Sequence, residues 1–550
     1  MYRVMIIHSN GPYNDWFDYE TCPPISIGFI AGKLASLENV DFIILDANIE
    51  KFNINQIIDK IKDFGPSLIG ISFLTPQADF AFSLTMSIKN DYKLKSIILV
   101  HGGVHPQLYP KECFEHGADY CSVGDGVTGF IELIKNKLGF SITKGLLGLI
   151  DKTQVNKYNA FSNILMYQGL DIPHWEYFPL SKYSLTLEVT DDKALPMISS
   201  LGCPNNCDFC SIPRICNRKI IFRNSNIILN EIKRNIRLFN IPNIHFYDDD
   251  FLLSEEHVKS ICNGIIEEKL DVKFICEASV KSILRNKHLI KLMKKAGCIG
   301  IEIGIESGAD NVLTEIKKKQ SYDDIQRAVD IVHKNKLKIA TYLIMCCLPG
   351  ETIKSHRMSN EFLCNLTKTG KIFIGHYVTP YPGSNLYDTV NRKGRLLVSQ
   401  WKDFLPSNIT FIPNSLLNEI PIKNIPYLSN GDIMIIFTYN WRGTVNIFDK
   451  IADKLKFISH IRDMYLLIDG KLTNDGLINK LYRRHGGEYI YWARLVIKNI
   501  IIMSQCGLIR SNEMTSTTAH DLSHWYKEAR KQPRKWLKDN KHHLYYYKDN

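Results

Sequence analysis

The stretch Leu201–Cys210 reads LGCPNNCDFC and sets Cys203, Cys207 and Cys210 in the spacing CxxxCxxC. Three thiolates so close in sequence can converge on one metal centre, because thiolate is a soft ligand suited to iron–sulfur clusters and zinc. The count of three is informative. A structural zinc site is closed by four ligands. A [4Fe–4S] cluster held by three cysteines keeps one iron open to a small molecule. Cys216 could supply a fourth zinc ligand, so both metals stay open at this point.

The surroundings of that stretch repeat one pattern. Strands are predicted at 195–199, 244–247, 273–276, 300–305, 338–344 and 373–379. Helices are predicted between them, at 227–238, 257–269, 287–296, 322–335 and 355–367. Six strand–helix units over residues 195–395 predict a partial (β/α)6 barrel of the TIM type with parallel strands, whose chemistry sits at the carboxyl ends of the strands. The polar residues fall there. The cysteine loop follows the first strand, and Asp248-Asp249-Asp250 the second. Glu306-Ser307-Gly308 follows the fourth, Leu348-Pro349-Gly350 the fifth and Pro380-Tyr381-Pro382-Gly383 the sixth. Each also has a plain reading, as a solvated strand end, a helix cap or a turn.

Upstream, residues 1–135 alternate again. Strands are predicted at 4–7, 41–45, 68–73, 96–100 and 120–123, with helices at 27–37, 54–64, 80–89 and 129–135. This is the α/β pattern of a Rossmann-like, doubly wound parallel sheet, which binds ligands beyond its strand ends. Those ends carry Ser72 and Thr75, then Gly102-Gly103-Val104, then Gly124-Asp125-Gly126. Small residues let a ligand approach the backbone. No GxGxxG opens the first helix, which argues against a dinucleotide. Residues 136–194 read as an aromatic-rich linker, with Asp171–Trp175 either packed or lining a cavity between domains. Residues 396–550 read as a helical C-terminal domain. Its tail from Asp521 has eight Lys/Arg against four Asp/Glu, which reads as a solvated helix face, or as a nucleic-acid contact in the zinc alternative.

Composition bounds the rest. The chain has 550 residues, too many for one domain. It is 45% hydrophobic with a net charge of +11, which is ordinary for a globular protein and does not call for nucleic acid. The start lacks the pattern of a signal peptide and no apolar run reaches the length of a membrane span. A cytoplasmic protein with reduced cysteines is the expectation.

Together these stretches resemble the radical S-adenosylmethionine (SAM) enzymes that carry a cobalamin-binding domain. The upstream pieces are Pro23–Gly28, Pro66–Ser72, Gly102–Pro106 and Asp119–Gly126; the barrel pieces are the cysteine loop and the strand ends above. The resemblance implies that Cys203, Cys207 and Cys210 hold a [4Fe–4S] cluster and that its open iron binds SAM. Phe209, Asp248, Asp249, Asp250, Glu306, Ser307, Leu348, Pro349 and Gly350 would then contact SAM. Ser72, Thr75, Gly102, Gly103, Val104, Gly124, Asp125 and Gly126 would line the cobalamin site. The sequence departs from the family at Asp125 and Val127, at Cys347 where glycine is usual, and at Ser279 where arginine is frequent. The DxHxxG motif that ligates cobalt elsewhere is absent, and His8, His101 and His105 are expected to be solvated or hydrogen-bonded. The resemblance implies a methyltransferase acting on an unactivated carbon of a small-molecule, lipid or peptide substrate, with an oxidative cyclase or rearrangement enzyme as the near alternative. It also implies an electron donor such as a flavodoxin or ferredoxin. Cys216 is left as a spectator.

Overall fold

The computed structural model describes residues 1–11, 22–124, 126–139, 148–158, 170–187, 189–190, 192–352, 370–396 and 398–405, with isolated positions between and up to 415. The predicted helix at 355–367 lies largely outside these residues, and the predicted helices and basic tail beyond 415 lie wholly outside them.

The first sheet holds β1 (Tyr2–His8), β2 (Val40–Asp46), β3 (Leu68–Ser72), β4 (Ile98–Gly102), β5 (Tyr120–Ser122) and β6 (Leu149–Asp151) in the order β2-β1-β3-β4-β5-β6. Its pairs are parallel as far as β5, and β6 closes the edge antiparallel. Side chains alternate across a strand, so a sheet buried on both faces reads as a continuous apolar run. In β1, Met5 and Ile7 enter one core while Val4 and Ile6 enter the other. The helices α1 (Ile25–Ala35), α2 (Ile54–Phe64), α3 (Ala78–Asn90), α4 (Val104–Leu108), α5 (Pro110–Glu115) and α6 (Val127–Lys137) supply the rest of those cores. The bounds of α2 are set locally. Asn53 and Gln56 form a reciprocal capping box, and Gly65 ends the helix at φ +62°.

Residues 170–187 lie against the first domain and bury a few aromatic side chains there. Trp175 is fully buried, and Phe178 and Tyr183 nearly so. Trp175 fits only because residue 28 of α1 has no side chain, since a Cβ there would lie 2.6 Å from its ring. The aromatics of this stretch therefore seat it against the first sheet.

The second sheet contains β7 (Ala194–Met197), after which β8 (Ser200–Leu201) and β9 (Ile221–Phe222) make a small antiparallel pair. It continues with β10 (Asn243–Phe246), β11 (Phe274–Ser279), β12 (Cys298–Glu306), β13 (Lys338–Cys346) and β14 (Gly370–Tyr377). The order is sequential, from β14 to β10 and then β7, and every pair is parallel. Six strands in this order, with β7 and β14 at opposite edges, form the expected partial barrel. The helices α7 (Ile212–Ile215), α8 (Ser225–Phe239), α9 (Glu255–Glu267), α10 (Val280–Arg285), α11 (Leu289–Lys295), α12 (Asp310–Glu315) and α13 (Tyr322–Lys334) follow the strands. The largest core lies between them and the sheet. A small cluster of Leu187, Ala194 and Ile275, with Val189 and Ile299 against it, plugs the amino-terminal end of the barrel.

Candidate active site between the two sheets

The cysteine loop leaves β8 and returns through α7 to β9, so the antiparallel pair ties its two ends together. Gly202 enters it at φ +94°, where a Cβ would meet the Lys219 carbonyl oxygen at 2.2 Å. Only glycine fits so close a backbone crossing. Cys203, Cys207 and Cys210 are all partly exposed. Burial raises all three thiols above their ordinary value, and at Cys210 the neighbouring Cys207, Asp249 and Cys203 add to the rise. Asn205 donates to Cys203 Sγ at 3.3 Å.

The three consecutive aspartates divide their work. Asp248 is buried and accepts from the Ser199 amide at 3.0 Å, the Ser199 hydroxyl at 2.7 Å, the Ser200 hydroxyl at 2.6 Å and the Ser200 amide. Burial pushes its carboxyl up to about 6 against the pull of those four donors. Asp250 accepts from Ser279 at 2.6 Å and Ser282 at 2.7 Å. These two carboxylates fasten the ends of β7 and β11. Asp249 takes the Gly202 amide at 2.8 Å and faces a cavity.

Glu306 sits at φ +67°, a conformation that strains a residue with a side chain. Its buried carboxylate receives Lys318 Nζ at 2.6 Å. Burial disfavours the Lys318 ammonium, but Glu306 beside it outweighs this and holds the lysine above its ordinary value. Ser307 bonds the Ser359 hydroxyl at 3.1 Å and the Ala309 amide at 3.2 Å. Leu348 is buried with its amide on Glu351, and Gly350 turns at φ +78° against Glu315. Cys347, where the family usually has glycine, lies at φ +59°, so its backbone takes the shape glycine adopts freely. Phe209 packs on the barrel core from the cysteine loop.

A cavity of about 460 Å³ has walls from both sheets. The first domain gives Ser72, Gly102, Gly103, Val104, Gly124 and Gly126; the barrel side gives Gly202, Cys216, Tyr247 and Asp249. Gly103 is at φ +104°, with the Phe73 carbonyl 2.4 Å from where a Cβ would be. Thr75 is buried outside this lining, near His105 at 3.3 Å, and Asp125 lies outside the described residues. Leu170 lines the cavity, whereas Asp171–Trp175 do not. His8 lines it with Nδ1 on Asp46 at 3.0 Å and Nε2 by Gln77 at 3.2 Å. His101 is buried against Thr85 at 2.7 Å, and His105 lies between Thr75 and Glu112.

Sequence reasoning missed several polar residues because they belong to no motif. Arg223 is one. It donates to Glu231 at 2.6 Å, to the Asp171 carbonyl at 2.5 Å and to the Ile198 carbonyl at 2.5 Å, and its guanidinium lies 5.1 Å from the Phe29 ring centroid. A layer inside the barrel is another. Glu277 and Glu302 are register neighbours on β11 and β12, and His245 meets Glu302 at 3.1 Å. Burial, then Glu302 and Glu306, drive the Glu277 carboxyl well above its ordinary value. Lys318 could have been noticed only as one of three lysines in a row at 317–319.

The family models bear directly on these two halves. The one described as B12 binding domain matches residues 19–134, and the one described as Radical SAM superfamily matches residues 197–363. The chain belongs to the radical SAM enzymes that carry a cobalamin-binding domain, and its cofactors are a [4Fe–4S] cluster, SAM and cobalamin. It is similar to an uncharacterized methyltransferase of Pyrococcus horikoshii, at 27% identity over 397 residues, 70% of this chain and 82% of that one. It is also similar to the anaerobic magnesium-protoporphyrin IX monomethyl ester cyclase of Rubrivivax gelatinosus, at 23% identity over 71% of this chain and 70% of that one. The solved structure of the cobalamin-dependent SAM radical enzyme OxsB, with aqua-cobalamin and SAM bound, shares the fold with a TM-score of 0.60 at 15% identity, covering 97% of this chain and 84% of that one.

Cys207 and Cys203 both act electrostatically on Cys210, so the three thiols stand together as the ligands of one cluster would. The radical SAM match, with its [4Fe–4S] cluster, takes the place of the zinc alternative. Cys216 lines the interdomain cavity. Among the described residues no helix is long and apolar enough to cross a membrane.

Proposed function

We propose that this radical SAM enzyme is a cobalamin-dependent methyltransferase that adds a methyl group to an unactivated carbon of a small-molecule, lipid or peptide substrate. The observation that carries the reading is the cavity walled by the strand ends of both sheets, which sets the cobalamin domain against Gly202 and Asp249 at the root of the cysteine loop. When bound, SAM at the cluster supplies the means of taking hydrogen from carbon, and cobalamin supplies the methyl group. The chain's own part is positioning. Cys203, Cys207 and Cys210 act as the thiolate ligands. Asp249 and the Glu306–Lys318 pair present charge at the two sides of the loop, and Ser307, Leu348, Pro349 and Gly350 stand at the next two strand ends, Ser307 and Leu348 buried there. Gly102, Gly103, Gly124 and Gly126 keep the facing wall low, so that a flat macrocycle can lie against backbone. Asp248 and Asp250, whose oxygens are taken by serines and amides, hold the strand ends rather than a ligand.

The likeness to the monomethyl ester cyclase favours a second reading, in which the same cofactors serve oxidative ring formation. One experiment separates them. The full chain, reconstituted anaerobically with iron, sulfide and cobalamin, is incubated with a strong reductant and SAM labelled in its methyl group. Formation of 5′-deoxyadenosine supports the radical chemistry. A product heavier by the labelled methyl supports methyl transfer, while loss of hydrogen without label supports the cyclase. Absence of deoxyadenosine overturns both.

A further inference from the structure

After β14 the chain turns back over the cysteine loop. A helix over Asn385–Arg392 begins there, where the Tyr387 amide donates to the Ser384 hydroxyl at 3.0 Å. Its first turn sits on the loop. The Leu386 amide donates to the Asp208 carbonyl at 2.8 Å, and the Asn385 side-chain amide to the Asp208 carboxylate at 3.2 Å. Asp208 lies between Cys207 and Phe209. Further along the helix, Asp388 receives Arg214 of α7 at 2.6 Å.

The same stretch also touches the first domain. Gly383, at φ +88°, lies where a Cβ would meet Leu108 of α4 at 3.3 Å and Ser211 of the cysteine loop at 3.4 Å. Tyr387 stands beside Tyr109; burial, and then Tyr387, hold the Tyr109 hydroxyl above its ordinary value. Trp401 donates to Glu112 at 2.9 Å and centres its ring 5.1 Å from His105 and 5.2 Å from Tyr109. Phe404 joins the two parts, with its ring 5.3 Å from Trp401 and 6.1 Å from Tyr387. The helix α4 thus has two sides. Val104 and Gln107 line the interdomain cavity, while His105 and Leu108 rest on the returning chain. No residue of 380–405 lines that cavity. The stretch therefore holds both walls from outside, and close-packed side chains transmit position rather than yield.

We propose that residues 380–405 are a spacing bracket, in which Asp388 and Trp401 are positioning residues that hold the cysteine loop and the cobalamin wall at one separation, and so set the distance from cluster to cobalt. Misplacement of reacting groups by about 1 Å can cost on the order of a hundredfold in rate. The role is the same for methyl transfer and for cyclisation. It rests on the cluster and cobalamin occupying the two sites described above, which the iron and cobalt content and the absorbance of the purified chain test separately.

The test uses the full chain loaded with cluster and cobalamin, without substrate. Reduction leaves one unpaired spin on the cluster and one on cob(II)alamin, and low-temperature electron paramagnetic resonance reads their magnetic interaction, which falls steeply with distance. Asp388→Ala releases the loop end of the bracket and Trp401→Ala the cobalamin end. The exchanged pair Arg214→Asp/Asp388→Arg restores the first contact. The unmodified chain should show one resolved splitting. Each single variant should lose it to an unresolved spread, and the exchanged pair should recover it. The Asp388–Arg214 pair is partly exposed, so Asp388→Ala should keep its cofactors and its unfolding midpoint within a few degrees. An unchanged splitting in both single variants would overturn the proposal. So would an unmodified chain that holds both cofactors and shows no interaction between them. Loss of cobalamin from the variants, with the splitting intact in the molecules that retain it, would give these residues to binding and would also overturn it.

Discussion

Arg223 concentrates four contacts in one buried side chain, to the barrel strand end, to α8, to residue 171 and to the face of Phe29 in α1. Removing one partner of a buried pair leaves an uncompensated charge, which costs far more than the pair is worth. Glu231→Ala should therefore lower stability by about 3–5 kcal/mol in chemical denaturation. Glu231→Gln, which keeps an acceptor oxygen, should cost less. His101 makes a second prediction. Burial, then His105, His116 and Lys89, lower its pKa to about 3. The unfolded chain, near 6.5, binds a proton that the folded chain does not. Its contribution is complete above about pH 6.5 and is lost as the pH falls toward 3. The midpoint of thermal unfolding should drop between pH 7 and pH 5, and His101→Gln should flatten that slope.

At the scale of elements, the sequence was most legible where one signal sufficed. The predicted strands at 4–7 and 244–247 and the helix at 54–64 fall within a residue or two of β1, β10 and α2, because an apolar run or a capping box marks each. The short α4 and α5 and the antiparallel β6 were missed, since three to six residues carry too little periodicity. The cysteine loop stood out by its spacing, which left zinc and an iron–sulfur cluster both open. The division of labour among Asp248, Asp249 and Asp250 was not legible, because it depends on which serines stand opposite them. Nor were Glu277, Glu302 and His245, which meet only through strand register. The seating of residues 170–187 yields a further expectation. Trp175 fills the notch above Gly28, and large-to-small truncation of a buried aromatic costs about 3–5 kcal/mol. Trp175→Ala should show that loss in denaturant unfolding.

For the molecule as a whole, cobalamin held in the cavity between the sheets, as proposed above, would bridge two parts of the chain. A ligand that binds only the folded form stabilises it by mass action, about 2.7 kcal/mol at a hundredfold excess over its Kd. Added cobalamin should therefore raise the unfolding midpoint in a concentration-dependent way. It should also slow proteolysis between residues 139 and 194 more than cleavage elsewhere. A gain confined to the first domain would mean that the barrel wall takes no part.

The two walls of that cavity are also separated in time. The first is finished once Leu170 has been made, and the second awaits Asp249, about 80 residues later. At a synthesis rate of about 5–20 residues per second, the first domain waits roughly 4–16 s on the ribosome with its apolar wall uncovered. During that interval Ile6, Ile25, Phe29 and Phe130 offer a sticky face to any passing chain. The growing polypeptide thus has a window of vulnerability that closes only when the barrel arrives, and cobalamin can be fully enclosed only after that.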